Sequence, residues 1–330
     1  MDVNATPKSL RARGAVQQPA GQAGVCQTTL KDVISCAGRG LHTGAKVSMA
    51  LLPAEADTGL VFRRTDFAGR GAEIAARWDK VVDTRMCTTI GNAEGVVVGT
   101  IEHLVAALAG LQVDNVTVEL NGPEVPAMDG SGEPFAFLIE CAGIRTLDAP
   151  RRVIEILKTV SVGNDEKSAV LMPGAGSTYS FEIEFASGAI GRQVRAFDLS
   201  NGAFRDELAS ARTFGFREEI AAMHASGLAR GGSLANAVVV DGSSVLNPEG
   251  LRYRDEFVRH KLLDAVGDMR LAGHRLLGHF HGYRSGHALH NRLLRRLFAD
   301  DSAWRLTGTS GLSAAGESAE ARMHAARAIA

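Results

Sequence analysis

The feature that most constrains this chain is a faint internal repeat. The stretch EHLVAALAG at Glu102–Gly110 can be laid over RHKLLDAVG at 259–267, and the histidines His103 and His260 then superpose. Both stretches carry the apolar spacing of an amphipathic helix. Each is followed by a strand pattern and then by Ser-Gly at the head of another helix, Ser131-Gly132 before 135–141 and Ser285-Gly286 before 289–298. Chance likeness between two amphipathic helices is the competing explanation. A genuine repeat makes the chain two related halves that meet near the two histidines, with a boundary near 148–152, where Ala149-Pro150 breaks the pattern.

The remaining patterns agree with layered halves. Strand-like segments lie at 46–52, 60–64, 115–120, 153–162, 179–185 and 237–241, and helical patterns at 101–109, 134–142, 255–271 and 288–298. Their mixed order predicts an α+β fold of two similar domains, each layering helices against sheet. A chain of 330 residues has room for both, at roughly 150 residues per domain. The expected division is a disordered N-terminal extension over 1–24, a first domain over 25–149, a second over 150–306 and a flexible tail over 307–330.

Composition removes several function classes. Hydrophobic residues at 45% exclude pervasive disorder, and 36 Lys plus Arg against 37 Asp plus Glu leave no bulk attraction for nucleic acid or an anionic membrane. Cys26, Cys36, Cys87 and Cys141 form no CxxC pair, so reduced thiols are expected rather than a metal cluster or disulfide scaffold. The longest apolar run, around 104–111, is too short to span a bilayer, and the N-terminus has no apolar signal segment. A soluble, cytoplasmic protein with no nucleic-acid partner and no stable membrane insertion is expected.

Histidines point to a site. Six of the ten, His260, His274, His279, His281, His287 and His290, fall within 31 residues. His260 and Asp264 stand four apart on one helical face, a spacing that can grip one metal ion, although an HxxxD pair is commonly just a solvated contact. Thr100 reads as an N-cap that sets Glu102 and His103 in the first turn of their helix. Two imidazoles and one carboxylate are the ligand count of catalytic zinc with a position open for water, and equally that of a non-haem iron oxygenase. A base beside the metal, Glu102, favours a hydrolase, while a plain complement to the helix dipole is its bland alternative. His287 sits at a loop-to-helix junction, and Asp268, four residues beyond Asp264, can orient its ring or can be surface charge. His279 and His281 share one strand face and read as structural; His42, His224, His274, His290 and His324 show no supporting pattern.

Taken together, the segments 40–44 (GLHTG), 100–104 (TIEHL), 126–131 (PAMDGS), 211–216 (ARTFGF), 257–268 (FVRHKLLDAVGD) and 285–289 (SGHAL) resemble the UDP-3-O-acyl-N-acetylglucosamine deacetylases, zinc enzymes of the committed step of lipid A biosynthesis in Gram-negative bacteria. The resemblance covers about residues 30–298. It implies two similar α+β domains with the active site at their interface, and a nucleotide-sugar substrate bearing a fatty acyl chain, handled by a monomer. It implies one zinc ion on His103, His260 and Asp264, Glu102 as general base, and His287 supported by Asp268 as general acid. Thr213 would place its hydroxyl near the oxyanion and Lys261 would face the charged part of the substrate. Lys167 and Phe185 would touch the uridine diphosphate. An insertion near 214–240 would form an apolar acyl passage, with Leu41, Phe214, Ile220 and Leu228 as walls and the small Ala229, Gly232 and Ser233 leaving room. Two positions depart from the family pattern: Arg217 replaces an apolar residue at the passage edge, and His290 stands where Asn is usual.

Overall fold

Alternation along the chain writes the strands: in Lys46–Pro53, the side chains of Val47, Met49 and Leu51 are buried while Lys46 and Ser48 face water. The structure, a computed structural model, describes residues 25–67, 71–199 and 202–308. The first half contains β1 (Cys26–Leu30), β2 (Ile34–Arg39), β3 (Lys46–Pro53), β4 (Leu60–Arg64), β5 (Glu73–Ala75), a single 3-10 turn at Trp78–Lys80, β6 (Val81–Asp83), β7 (Thr89–Gly91) and β8 (Val97–Val98). It continues through α1 (Glu102–Gly110), β9 (Val116–Leu120), α2 (Glu133–Ala142) and β10 (Ile144–Pro150). The second half runs through β11 (Arg152–Ile156), β12 (Val160–Asn164), β13 (Lys167–Met172), β14 (Ser177–Glu184), β15 (Arg192–Asp198), α3 (Ala203–Glu207), β16 (Phe214–Phe216), α4 (Arg217–Ala225), β17 (Val238–Asp241) and β18 (Ser244–Val245). It ends with α5 (Glu256–Arg270), β19 (Arg275–Tyr283), α6 (His287–Phe298) and β20 (Trp304–Gly308).

The repeat is written in the sheet topology. The first half orders its strands β2-β3-β9-β4-β5, with β4 parallel to β9 and the other neighbours antiparallel. The second half contains the same path, β12-β13-β19-β14-β15, with β14 parallel to β19 and the rest antiparallel. A parallel pair needs a crossover, and each crossover contains one of the two matched helices, α1 before β9 and α5 before β19. β11 and β20 extend the second sheet beyond this shared path. The observed architecture is therefore α+β, as the pattern predicts.

α1 and α5 pack directly on each other. Gly267 makes this possible: a Cβ there would stand 2.2 Å from the carbonyl oxygen of Glu102. Leu104, Leu108, Leu262, Leu263 and Val266 are fully buried around this contact, and the polar groups buried on these two helices include Glu102, His103, His260, Asp264 and Asp268.

Three expectations change. The segment 153–162 is two strands, β11 ending at Ile156 between β19 and β20 and β12 starting at Val160 against β13. Thr307 and Gly308 are not tail but part of β20, pairing with Val153 and Arg152. Thr100 is not the cap of α1; Ile101 occupies that position. The extension over 1–24 and the tail beyond 308 lie outside the described residues. No helix among the described residues is long and apolar enough to cross a membrane, and no disulfide joins the four cysteines.

Candidate active site

Thr100 has a left-handed backbone, φ 55°, which turns its hydroxyl away from the helix and onto Glu124 Oε1 at 2.9 Å. Glu124 also accepts the N–H groups of His42 at 2.8 Å and Thr43 at 2.9 Å and the Thr43 hydroxyl at 2.7 Å. One buried carboxylate thus fastens the 40–43 loop to the start of α1. Gly40 is required there, since a Cβ would come within 2.1 Å of Glu124 Oε2. The result presents Leu41 to the same cavity that the α1 N-terminus faces.

Where the two matched helices meet, three side chains converge. His103 Nε2 lies 3.5 Å and His260 Nε2 3.4 Å from the same atom, Asp264 Oδ1. That oxygen is buried and has no hydrogen-bond partner. Ligands about 2.1 Å from a tetrahedral ion stand about 3.4 Å apart, so this spacing fits a divalent metal such as zinc. His260 Nδ1–H donates to the Ala211 carbonyl at 3.1 Å, which directs its Nε2 lone pair toward Asp264. Burial, only partly opposed by Asp264, holds the His260 pKa down at about 4, so the ring is a neutral donor. Burial disfavours the Asp264 anion, but Lys261 and then His260 outweigh it and keep the carboxyl well below its usual range. Lys261 Nζ grips the other oxygen, Oδ2, at 2.6 Å.

A second cluster, Asp268 with His287 and His290, has different spacing. Both rings place Nδ1 2.7 Å from Asp268 Oδ2. That separation is a hydrogen bond and too short for two ligands of one ion. Burial alone would discharge His287, yet Asp268, by charge and hydrogen bond, followed by Asp264 and Glu102, lifts its pKa to about 9. His290, wholly buried, adds Ser285 Oγ at 3.0 Å on its Nε2 side. Glu102 is buried beside this pair, and desolvation raises its pKa against the pull of His287 and His103.

Thr88, which no sequence pattern marks, ties these groups together. Its N–H donates to Glu102 Oε2 at 3.1 Å, its hydroxyl donates to Asp268 Oδ1 at 2.6 Å, and the same Oγ lies 3.2 Å from His287 Nδ1. His42 and His290 are likewise unmarked by local pattern. His42 lines the cavity with a buried, unpartnered Nε2.

The cavity above these groups holds about 570 Å³. Glu102, His103, His260, Lys261, Asp264 and His287 form its polar end, with Thr213 adjacent; Leu41, Phe214, Ile220, Met223, Gly232, Ser233, Leu234, Val239 and Leu246 line the rest. Arg217 lies at its wall and pairs with Asp241 at 2.6 Å. Lys167, exposed at the start of β13, does not line this cavity, nor does Phe185, whose ring packs edge-to-face on Phe214 and tilted against Phe216. Leu228 is also outside its lining. His279 and His281 lie elsewhere, bonded to Thr178 and Ser180 on the sheet.

A buried donor triad, a carboxylate beside it and an imidazole held by aspartate in the same cavity are the equipment of a metal-dependent hydrolase. Comparison with known proteins narrows that class. The family described as UDP-3-O-acyl N-acetylglycosamine deacetylase matches residues 27–299, and the chain belongs to it. The chain is 52% identical over 280 residues, 85% of its own length and 96% of the relative's, to the UDP-3-O-acyl-N-acetylglucosamine deacetylase of Phenylobacterium zucineum (strain HLK1). Similarity extends to proteins of the same name from Pseudoalteromonas atlantica (strain T6c / ATCC BAA-1087), 48% identical over 84% of this chain and 92% of the relative, and Shewanella sp. (strain W3-18-1), 47% identical over 86% and 92%. This family of hydrolases decides against the oxygenase that the donor set alone leaves open.

Proposed function

We propose that the chain removes the acetyl group from the nitrogen of UDP-3-O-acyl-N-acetylglucosamine, releasing acetate and UDP-3-O-acyl-glucosamine in the committed step of lipid A biosynthesis. The observation that carries the catalytic reading is the pair of 3.4 and 3.5 Å separations onto the orphaned Asp264 oxygen, at the floor of a long apolar cavity. His103, His260 and Asp264 would hold one zinc ion. Bound there, zinc supplies a Lewis acid for the acetyl carbonyl and lowers the pKa of water toward about 7.

The remaining work falls to this chain's own side chains. Glu102, raised in pKa by burial and fixed by the Thr88 N–H, takes the proton of the attacking water. Thr213 offers its hydroxyl to the oxygen that gains charge. His287 carries a proton at neutral pH because its pKa stands at about 9. Asp268 occupies Nδ1, so the Nε2 proton is the one handed to the departing sugar nitrogen. Lys261 keeps Asp264 ionised and adds positive charge at the cavity wall toward the anionic substrate.

Leu41, Phe214, Ile220, Met223 and Gly232 form the passage for the acyl chain, whose methylenes each gain about 0.8 kcal/mol on leaving water. The two like-ordered sheets support reading 25–149 and 150–306 as two domains with the catalytic groups where α1 meets α5. One chain suffices for all of these groups, and four unbridged cysteines suit the reducing cytoplasm. Incubating zinc-loaded protein with the N-acetylated nucleotide sugar should yield acetate and free amine in equal amounts. Absence of both products from folded, zinc-loaded protein defeats the proposal.

A further inference from the structure

α5 ends far along its axis from His260, at Arg270, and a separate cavity of about 260 Å³ opens there. Arginines dominate its wall, joined by His274, Asp57 and Asp114. Three of the four arginines are answered by acids: Arg77 by Asp79 at 3.0 Å, Arg151 by Asp114 at 2.8 Å and Arg152 by Asp57 at 2.6 Å. Arg270 is not. It is only 8% exposed, and its hydrogen bonds go to the neutral carbonyls of Gly273 at 2.6 Å and Asp114 at 3.1 Å.

A narrower space adjoins this cavity and shares Asp114, Arg151, Arg270 and His274 with it. Its wall adds Arg275, whose Nε is buried without a partner and whose hydrogen bond reaches only the Leu199 carbonyl. Two largely buried guanidinium groups therefore face one region with no carboxylate bound to either among the described residues. Burying a charge without a counter-charge is costly, and helix-end carbonyls offset it only in part. Neighbouring arginines repel one another as well, so the arrangement is stabilised by whatever anion enters. Guanidinium groups present planar forks of N–H donors, which match the oxygens of phosphate and bind it in pairs.

We infer that this cavity, at the other end of α5 from His260, is a binding site for a phosphate-class oxyanion held by Arg270, Arg152 and His274. His274 is the built-in reporter. Its ring makes no hydrogen bond among the described residues, and burial, then Arg270 and Arg152, push its pKa down to about 4 while Asp114 and Asp57 pull weakly the other way. An anion seated between these groups reverses the arginine field and raises that value.

The test follows the His274 ring by NMR on full-length, zinc-loaded protein titrated with inorganic phosphate or with glycerol 3-phosphate, against sodium chloride at equal ionic strength. Saturation is expected to raise the His274 midpoint by one pH unit or more, and the tighter of the two probes tells whether the free ion or an organic monoester is the natural class of occupant. Arg270→Gln should weaken binding at least tenfold. Because that side chain is buried, Arg152→Gln at the more exposed wall provides a second reading, expected to weaken binding several-fold in protein that folds normally. An unchanged His274 midpoint at saturating concentrations of both probes, or equal affinity in wild type and Arg152→Gln, overturns the assignment.

Discussion

The two halves of the molecule share a sheet order and differ in what is inserted into it. Between β5 and α1 the first half places a 3-10 turn and the small antiparallel sheet β6-β7-β8; between β15 and α5 the second half places α3, α4 and the sheet β16-β17-β18. The repeated frame brings α1 and α5 together and so gathers His103, His260 and Asp264 at one point. The short insertion delivers Thr88, which bonds Glu102 and Asp268, and the long one builds the apolar cavity wall from Phe214 to Leu246. Divergence also runs through the matched helices: Glu102 is buried at the site, while its counterpart Arg259 turns to Asp255 at 2.6 Å. Asp264 has only Ala107 opposite it in the repeat. The matched histidines His103 and His260 both reach the same Asp264 oxygen, while Glu102 and Asp264 have no acidic counterpart in the other helix, so the two halves form one site rather than two.

The comparison breaks first at the metal. Removing an outer-sphere partner of a metal ligand already costs about 10–100-fold in affinity, so His103→Ala and His260→Ala should each cost more than that and abolish measurable turnover. Elemental analysis of folded protein decides the point, and stoichiometric, tightly held zinc in both variants rejects the assignment.

A sharper contrast sets Glu102 against its counterpart. Glu102→Ala and His287→Ala should retain zinc and turn over about 10²–10⁴-fold more slowly, whereas Arg259→Ala should stay near wild type in kcat. The pH profile adds a sign. His287 acts as an acid only while protonated, so activity should hold below its pKa of about 9 and fall as the pH rises through it. An alkaline limb that survives unchanged in His287→Ala shows that another group is responsible.

Third in size is the short insertion. Thr88→Val keeps the backbone N–H on Glu102 but deletes the 2.6 Å hydroxyl bond to Asp268. An outer-sphere loss of this kind is expected to lower kcat by about 10–100-fold with the zinc content unchanged. Restoration of the rate by Thr88→Ser, which returns the hydroxyl, distinguishes this role from a simple packing defect.

The smallest effect lies in the long insertion. At Gly232 even a Cβ would stand 3.1 Å from the Ala229 carbonyl, so Gly232→Leu should crowd the passage. Each methylene kept out of it costs about 0.8 kcal/mol, about fourfold in kcat/KM. Long-chain substrate should therefore suffer more than short-chain substrate, and equal losses for both place Gly232 outside the acyl path.

Much of the site is legible in short stretches of sequence. His260 and Asp264 at four-residue spacing, Glu102 beside His103 and His287 at a helix start are local patterns, and one helix turn is enough to fix them. Thr88, Glu124 and His290 are not legible in this way. Thr88 meets Asp268 across 180 residues of chain, and nothing in the neighbourhood of a lone threonine announces such a partner. Thr100 misleads for a related reason: its chemistry suits a cap, but Glu124 draws its hydroxyl elsewhere and its backbone turns left-handed.

By itself, then, the sequence determined the α+β class, the main helices with their amphipathic faces, the faint repeat and the donor residues, all of which depend on side-chain type and short-range spacing. Only the tertiary structure decided that the repeat is a shared strand order, since pairing partners lie far apart in the chain and hydrogen-bond registers leave little trace in local composition. It also decided which histidines converge on an unpartnered carboxylate oxygen and which hydrogen-bond to one, because 3.4 Å and 2.7 Å separations onto a carboxylate oxygen arise from how α1, α5 and α6 pack. Packing of that kind is set by the summed burial of many apolar contacts, and no single stretch of residues contains it.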